Sequence, residues 1–244
     1  MKILIMGDCH LKEWMFHRAE ELMRKYEIKV LVFLGDAVDD WCKEYCLEAY
    51  VSTLDTTIDF FRRHPDSIYI IGNHDVSYLW QKRETGYSPI AGRTVIEKFE
   101  ELKGVFPESN QPSFIRRLDN CIFCHGGLVN SFVYDILENY NLPVSMYNDI
   151  DALIEIINKM DAGELWQDGS CLWYRPQYYK GRMYKADDST FLQIVGHTPV
   201  QKVYQEGNIL SCDVFSTERD GITPIGTEEF VIIDTVSCDW ECVK

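Results

Sequence analysis

Asp8, His10, Asp36, Asn73, His74, His125 and His197 are carboxylate, amide and imidazole side chains that each follow an apolar run closely. Together they make a set of hard oxygen and imidazole ligands, which suits Mn, Fe, Zn or Mg; thiolates would mark a purely structural zinc. Each piece alone is weak, since Asp-x-His is short and Gly-Asp after a strand is common turn chemistry. GNHD at 72–75 is more specific. Five such pieces, in order and each at a strand end, point to one centre.

The elements that position them are readable. KILIMGD at 2–8, VLVFLGD at 30–36 and IYIIGNHD at 69–75 are apolar, β-rich runs ending at Gly-Asp or Gly-Asn, the pattern of buried parallel strands. WMFHRAEELMRKY, and then the long segment WCKEYCLEAYVSTLDTTIDFFRRH, separate them with apolar residues at helical spacing. The order βαβαβ predicts an α/β layered fold, and ligands of such folds sit at the carboxyl ends of the strands.

Downstream, SFIRRL at 113–118 and CIFCHGG at 121–127 read as strands, FVYDILENY and DIDALIEIINKMDAG as helices, and LQIVGHT, KVYQEGNILSC and EEFVIIDT as strands again. No internal repeat or Pro/Gly/Ser linker interrupts them, so residues 1–244 are expected to form one domain, with a helical insertion over about 128–190.

The chain has 244 residues, 46% of them hydrophobic, enough for a large core. A net charge of −15 argues against a stable nucleic-acid complex or an anionic membrane partner. An anionic substrate therefore needs local positive charge. No apolar run approaches the roughly 18 residues of a membrane span, and the opening turns polar too soon for a signal peptide, so a cytoplasmic protein is expected.

Nine cysteines match no extracellular framework. Cys42/Cys46 and Cys238/Cys242 could together offer four thiolates to a structural zinc, whereas Cys121 and Cys124, in a strand-like run, read as buried thiols. Cys9 alternates away from Asp8 and His10 in extended backbone and should face the core.

GDCH at 7–10, GDAVDD at 35–40, GNHD at 72–75, HGG at 125–127 and GHTP at 196–199 resemble the blocks of the calcineurin-like metallophosphoesterases over nearly the whole chain. The HGG form and the Val-Asp of GDAVD look most like the branch of phosphoprotein phosphatases, bacterial diadenosine tetraphosphate hydrolases and the phage lambda phosphatase. The resemblance implies a layered β-sheet sandwich flanked by helices and two divalent ions, Mn foremost. Asp8 and His10 would bind one ion, Asp36 bridge both, and Asn73, His125 and His197 complete the second.

It further implies His74 as general acid and Asp39 as the group orienting it, with Asp75 in support. Arg175 in CLWYRP at 171–176 resembles a Trp-x-Arg segment of this branch and would hold phosphate by its guanidinium fork. The implied reaction is hydrolysis of a phosphomonoester by metal-activated water with no covalent intermediate. The substrate would be a phosphoprotein or small phosphoester; the alternatives are diadenosine tetraphosphate or another nucleotide phosphoanhydride or phosphodiester, and a noncatalytic metal-binding scaffold.

One departure stands out. Where the phosphatases have GDxVDRG, with an arginine on phosphate, this chain has Asp40 and Trp41 after Asp39. An inward Asp40 would repel a phosphate dianion, so it must turn away or the substrate must differ from phosphoserine and phosphothreonine. Arg83, in WQKRET, is a possible substitute, although a surface role fits it better. Tyr and Trp interleaved with Lys and Arg over 165–188 could form a basic aromatic rim or a packed hinge.

Overall fold

The molecule is described here from a computed structural model covering residues 1–179, 181–188 and 190–244. The first half builds β1 (Lys2–Met6), α1 (Trp14–Lys25), β2 (Leu31–Phe33), α2 (Leu47–Arg63) and β3 (Ile68–Tyr69). β1 pairs in parallel with β2, and β2 with β3, as the βαβαβ reading requires. Ile3 to Met6 of β1 are all buried, because the strand is central and covered on both faces. α1 turns Met15, Phe16, Ala19, Leu22 and Met23 inward, the spacing of one helical face.

Two helices follow, the short α3 (Asn73–Leu79) and the longer α4 (Gly92–Val105), neither anticipated from sequence. α4 packs on α2 and buries Val95, Phe99 and Leu102. The expected helix over 41–64 begins only at Leu47. Residues 41–46 form turns instead, with Cys42 in the left-handed region at φ 62°.

The second half carries β4 (Ile115–Leu118), β5 (Cys121–Cys124), α5 (Asn130–Asn139), α6 (Ile150–Ile157), α7 (Ala162–Leu165), β6 (Leu192–Val195), β7 (Tyr204–Glu206), β8 (Ile209–Ser211), β9 (Phe230–Asp234) and β10 (Trp240–Val243). The segment read as one helix over DIDALIEIINKMDAG divides into α6 and α7, because Asp161 starts a new helix by accepting from the Gly163 amide. Helices between β5 and β6 end at Leu165, and turns occupy most of the described stretch from there to 190.

Two five-stranded mixed sheets result, ordered β10-β9-β1-β2-β3 and β4-β5-β6-β8-β7. A parallel bridge between Ile70 and Ser113 joins their edges. One contiguous apolar core includes strands of both sheets and the helices α1, α2, α4, α5 and α6. Among the described residues, no helix is long and apolar enough to cross a membrane.

Candidate metal centre and its cleft

The strand ends of the two sheets meet at one place. Asp8 follows β1, Asp36 follows β2 and Asn73 follows β3; His125 comes directly after β5 and His197 just after β6. The His197 amide donates to Asp8 Oδ2 over 2.9 Å, and the His74 amide to Asp36 Oδ1 over 2.9 Å. Close backbone approach makes this possible. A Cβ on Gly196 would stand 2.0 Å from Asp8 Oδ1, and one on Gly72 2.0 Å from Asp36 Oδ1, so no larger residue fits. His10, Asp36, Asp39 and His197 all hold φ between 44° and 63°, a conformation that costs energy in a residue with a Cβ and gathers at functional sites.

Asp8, His10 and Asp36 place ligand atoms within 4.8 Å of one another, and so do Asp36, His125 and His197. Asp36 belongs to both groups. His125 Nε2 lies 2.9 Å from Asn73 Oδ1 and 3.1 Å from Asp36 Oδ2, which adds Asn73 to the second group.

Hydrogen bonds on the far side of each ring decide which nitrogen faces inward. His10 donates from Nδ1 to the Asp39 carbonyl (2.7 Å), and His125 from Nδ1 to the Leu34 carbonyl (2.7 Å). Both then present Nε2. His197 donates from Nε2 to the Trp173 carbonyl (3.1 Å) and presents Nδ1.

These groups fit divalent cations. With Nδ1–H on the Leu34 carbonyl, His125 Nε2 faces two acceptor oxygens, and Asp36 raises the imidazole against its burial, so a proton sits where a cation would otherwise be held. Asp8 Oδ1 is buried without a hydrogen-bond partner among the described residues, and burial with the charges of Asp213 and Asp36 pushes the Asp8 carboxyl well above its ordinary pKa. Burial opposes charge on Asp36 too, but His125, His74 and His10 outweigh it and hold Asp36 ionised well below the usual range. Burial lowers His10, and burial with His125 and Arg175 lowers His197 far more, so both favour the neutral form that binds metals.

His74 stands beside this centre in a different role. Its Nδ1 donates to Asp39 Oδ2 over 3.0 Å. Burial works against protonation, yet Asp36 and Asp39 overcome it and raise the imidazole to about 9. Asp39 is clamped in turn: Tyr50 donates to its Oδ1 over 2.8 Å, and Tyr78 donates to the same oxygen. Asp75 supports the turn beneath, accepting from the amides of Asp36 (3.1 Å), Ala37 (2.9 Å) and Gly72 (3.0 Å) and from the Tyr69 hydroxyl (3.1 Å).

The centre opens into a cleft of ≈ 610 Å³ whose wall includes His10, Asp36, Asn73, His74, His197 and Arg175. Arg175 donates to the His197 carbonyl (2.7 Å) and Thr198 Oγ1 (3.3 Å) from the same Nη1, which leaves its other nitrogens to the cleft. Asp40 is also on the wall, but Lys12 Nζ stands 3.5 Å from its Oδ2 and Thr217 donates to its Oδ1 over 2.9 Å. Its charge is thus largely answered. Arg83 is exposed, set over the Tyr87 ring, and lines no part of the cleft.

Several contributors escaped the sequence reading. Tyr50 and Tyr78 sit inside helices and reach Asp39 only through packing. Asp213, two residues past β8, is buried and feels the charges of His10, His125 and Asp36; it obeys the same strand-end rule as the others and could have been found by it. The thiols form no cluster of three or more potential metal ligands among the described residues. Cys9 is buried as expected, and Cys238 pairs not with Cys242 but with Cys121, Sγ to Sγ 3.8 Å.

A family model of calcineurin-like phosphoesterases matches residues 1–222. The chain belongs to this family. Among solved structures, a protein serine/threonine phosphatase from Saccharomyces cerevisiae aligns over 100% of this chain and 80% of its own, at 14% identity and a TM-score of 0.52, a likeness of fold. An archaeal phosphodiesterase aligns over 100% of this chain and 99% of its own, at 16% identity and a TM-score of 0.46. No curated protein matches the sequence. This member of the calcineurin-like phosphoesterases is a metal-dependent hydrolase with an α/β fold of two mixed sheets flanked by helices.

Proposed function

We propose that this phosphoesterase hydrolyses phosphomonoesters at a binuclear centre, in the manner of the Ser/Thr protein phosphatases, with Mn as the foremost metal. The observation that carries this is the pairing of two cation-fitting groups through the shared Asp36 with an imidazole, His74, held outside both by Asp39. In this reading Asp8 and His10 hold one ion, Asn73, His125 and His197 the other, and Asp36 bridges. When bound, two such ions activate a water and neutralise phosphoryl oxygens.

The remaining work falls to the chain's own groups. His74, with Nδ1–H fixed on Asp39, turns Nε2 to the leaving alkoxide and gives it a proton, becoming neutral. The Asp39 charge holds that proton in place until it is needed, and Tyr50 and Tyr78 keep the carboxylate from rotating. Arg175 fits phosphoryl oxygens that become more negative as the ester bond breaks. A noncatalytic scaffold would have no use for His74 so positioned.

Residues 1–244 are proposed to act as one domain, with 128–190 as an insertion beside the cleft. Nine unbridged thiols fit a reducing compartment such as the cytoplasm. Hydrolysis of a phosphoanhydride such as diadenosine tetraphosphate is the second reading, favoured by Trp41 and Tyr178 on the cleft wall, which could stack a base.

Turnover of p-nitrophenyl phosphate, bis-p-nitrophenyl phosphate, a phosphopeptide and the dinucleotide, each with added Mn, separates these activities. Preference for the two monoesters is expected. Turnover of the diester alone would contradict the reading.

A further inference from the structure

Aspartate at position 40 leaves the cleft short of positive charge. Its wall also carries Glu84 and Glu218, and among the described lining residues Arg175 and Arg219 are the only Lys or Arg. Arg219 lies far along the chain, in a turn that sequence reading passed over. It is placed by several independent contacts.

Thr217 and Pro224 bridge to close a small hairpin, and the Glu218 amide donates to the Thr223 carbonyl over 2.8 Å. Gly221, at φ 67°, brings this hairpin against the Trp41 carbonyl so closely that a Cβ would stand 2.3 Å from that oxygen. The Cys42 thiol donates to the Arg219 carbonyl over 3.7 Å, and Thr217 holds Asp40. The hairpin is therefore locked onto residues 40–42. The Arg219 guanidinium consequently rests over the Trp41 indole, 5.5 Å from its centroid.

We infer that Arg219, seated on Trp41, is the second anion-binding guanidinium of the cleft and favours phosphomonoester dianions over diester monoanions. The inference rests on the phosphoesterase reading above and names the substrate charge that the site selects. Among the described residues, no carboxylate lies within ion-pair distance of Arg219, so its charge is not answered from within the protein. Stacking on an indole face orients a guanidinium while leaving its edge donors free. At equal distance a dianion gains twice the Coulomb energy of a monoanion, so this cation discriminates by ester class.

The test uses the Mn-loaded protein, with metal content measured for every variant. Arg219→Ala is expected to weaken inorganic phosphate binding in calorimetry by about 10-fold, the scale of one partly screened charged hydrogen bond. It should lower monoester kcat/KM by about 10-fold, mainly through KM, and diester kcat/KM by less than about 3-fold. Arg219→Lys should recover part of the loss, and Trp41→Ala should move both values in the same direction as Arg219→Ala. Arg83→Ala, outside the cleft, should match the wild type.

Arg219→Ala with unchanged phosphate affinity and unchanged monoester KM would overturn the inference, as would equal losses on monoester and diester. If the wild type turned over neither ester, the proposed function would fail by itself. The phosphate titration would still decide whether Arg219 binds the anion.

Discussion

His74 Nδ1 and Asp39 Oδ2 lie 3.0 Å apart, and the other oxygen of Asp39 is taken by Tyr50 and Tyr78. The imidazole thus has one orientation available, with its Nδ1–H fixed on that carboxylate. His74→Asn should cut kcat by about 100-fold or more with metal still bound, the usual contribution of a general acid. Asp39→Asn should lose much of the same factor, because a neutral amide neither fixes the tautomer by charge nor raises the imidazole. Steady-state kinetics with parallel metal analysis checks both; wild-type kcat in His74→Asn would remove that residue from the chemistry.

Tyr78 does more than grip Asp39. Its hydroxyl also accepts from the buried Ser88 amide over 2.7 Å. Tyr78→Phe leaves that amide unpaired at a cost of about 1–3 kcal/mol. Denaturant unfolding should show the loss, and an unchanged midpoint would count against this dual role.

Gly196 matters because of what touches it. Gly196→Ala drives a methyl group toward Asp8 Oδ1 and should weaken binding of the ion assigned to Asp8 and His10 by about 10-fold or more, the scale seen when ligand support is disturbed. Gly104→Ala, in α4 with nothing within 4 Å of its Cβ position, should instead leave metal binding intact and add about 0.5–1 kcal/mol of stability. Metal titration paired with thermal unfolding distinguishes the two; equal metal affinity in both variants would contradict the packing account.

Asp213 supplies a negative charge beside Asp8 and His10 without being placed among the ligands. Asp213→Asn should therefore reduce Mn affinity by roughly 10-fold. Ser216 keeps the carboxylate fixed by donating to both of its oxygens, at 2.9 and 3.0 Å. An isothermal titration giving the wild-type dissociation constant would show that this charge is not felt at the centre.

What the sequence disclosed follows from how each residue is positioned. Asp8, Asp36, Asn73, His125 and His197 come after short apolar strands, and strand ends in an α/β fold converge by topology alone. Their assembly was therefore legible in one dimension. Tyr50, Tyr78 and Arg219 are brought in by packing between distant segments, and helical periodicity says only that such a tyrosine is buried. The start of α2 at Leu47 was missed for a related reason: Trp41–Cys46 has apolar residues at helical spacing, yet the hairpin around Gly221 holds that stretch in turns. α4 begins at Gly92 without a side-chain cap, and β10 buries only Val243 of its four residues, so neither carries a strong local signal.

The most direct measurement is element-resolved anomalous scattering from crystals grown with Mn, for the wild type and for Asp36→Asn. Two peaks roughly 3.5–4 Å apart, one beside Asp8 and His10 and the other beside Asn73, His125 and His197, are expected in the wild type, both depleted in the variant. A single ion, a pair not shared by Asp36, or full occupancy of both sites in Asp36→Asn would contradict the binuclear centre.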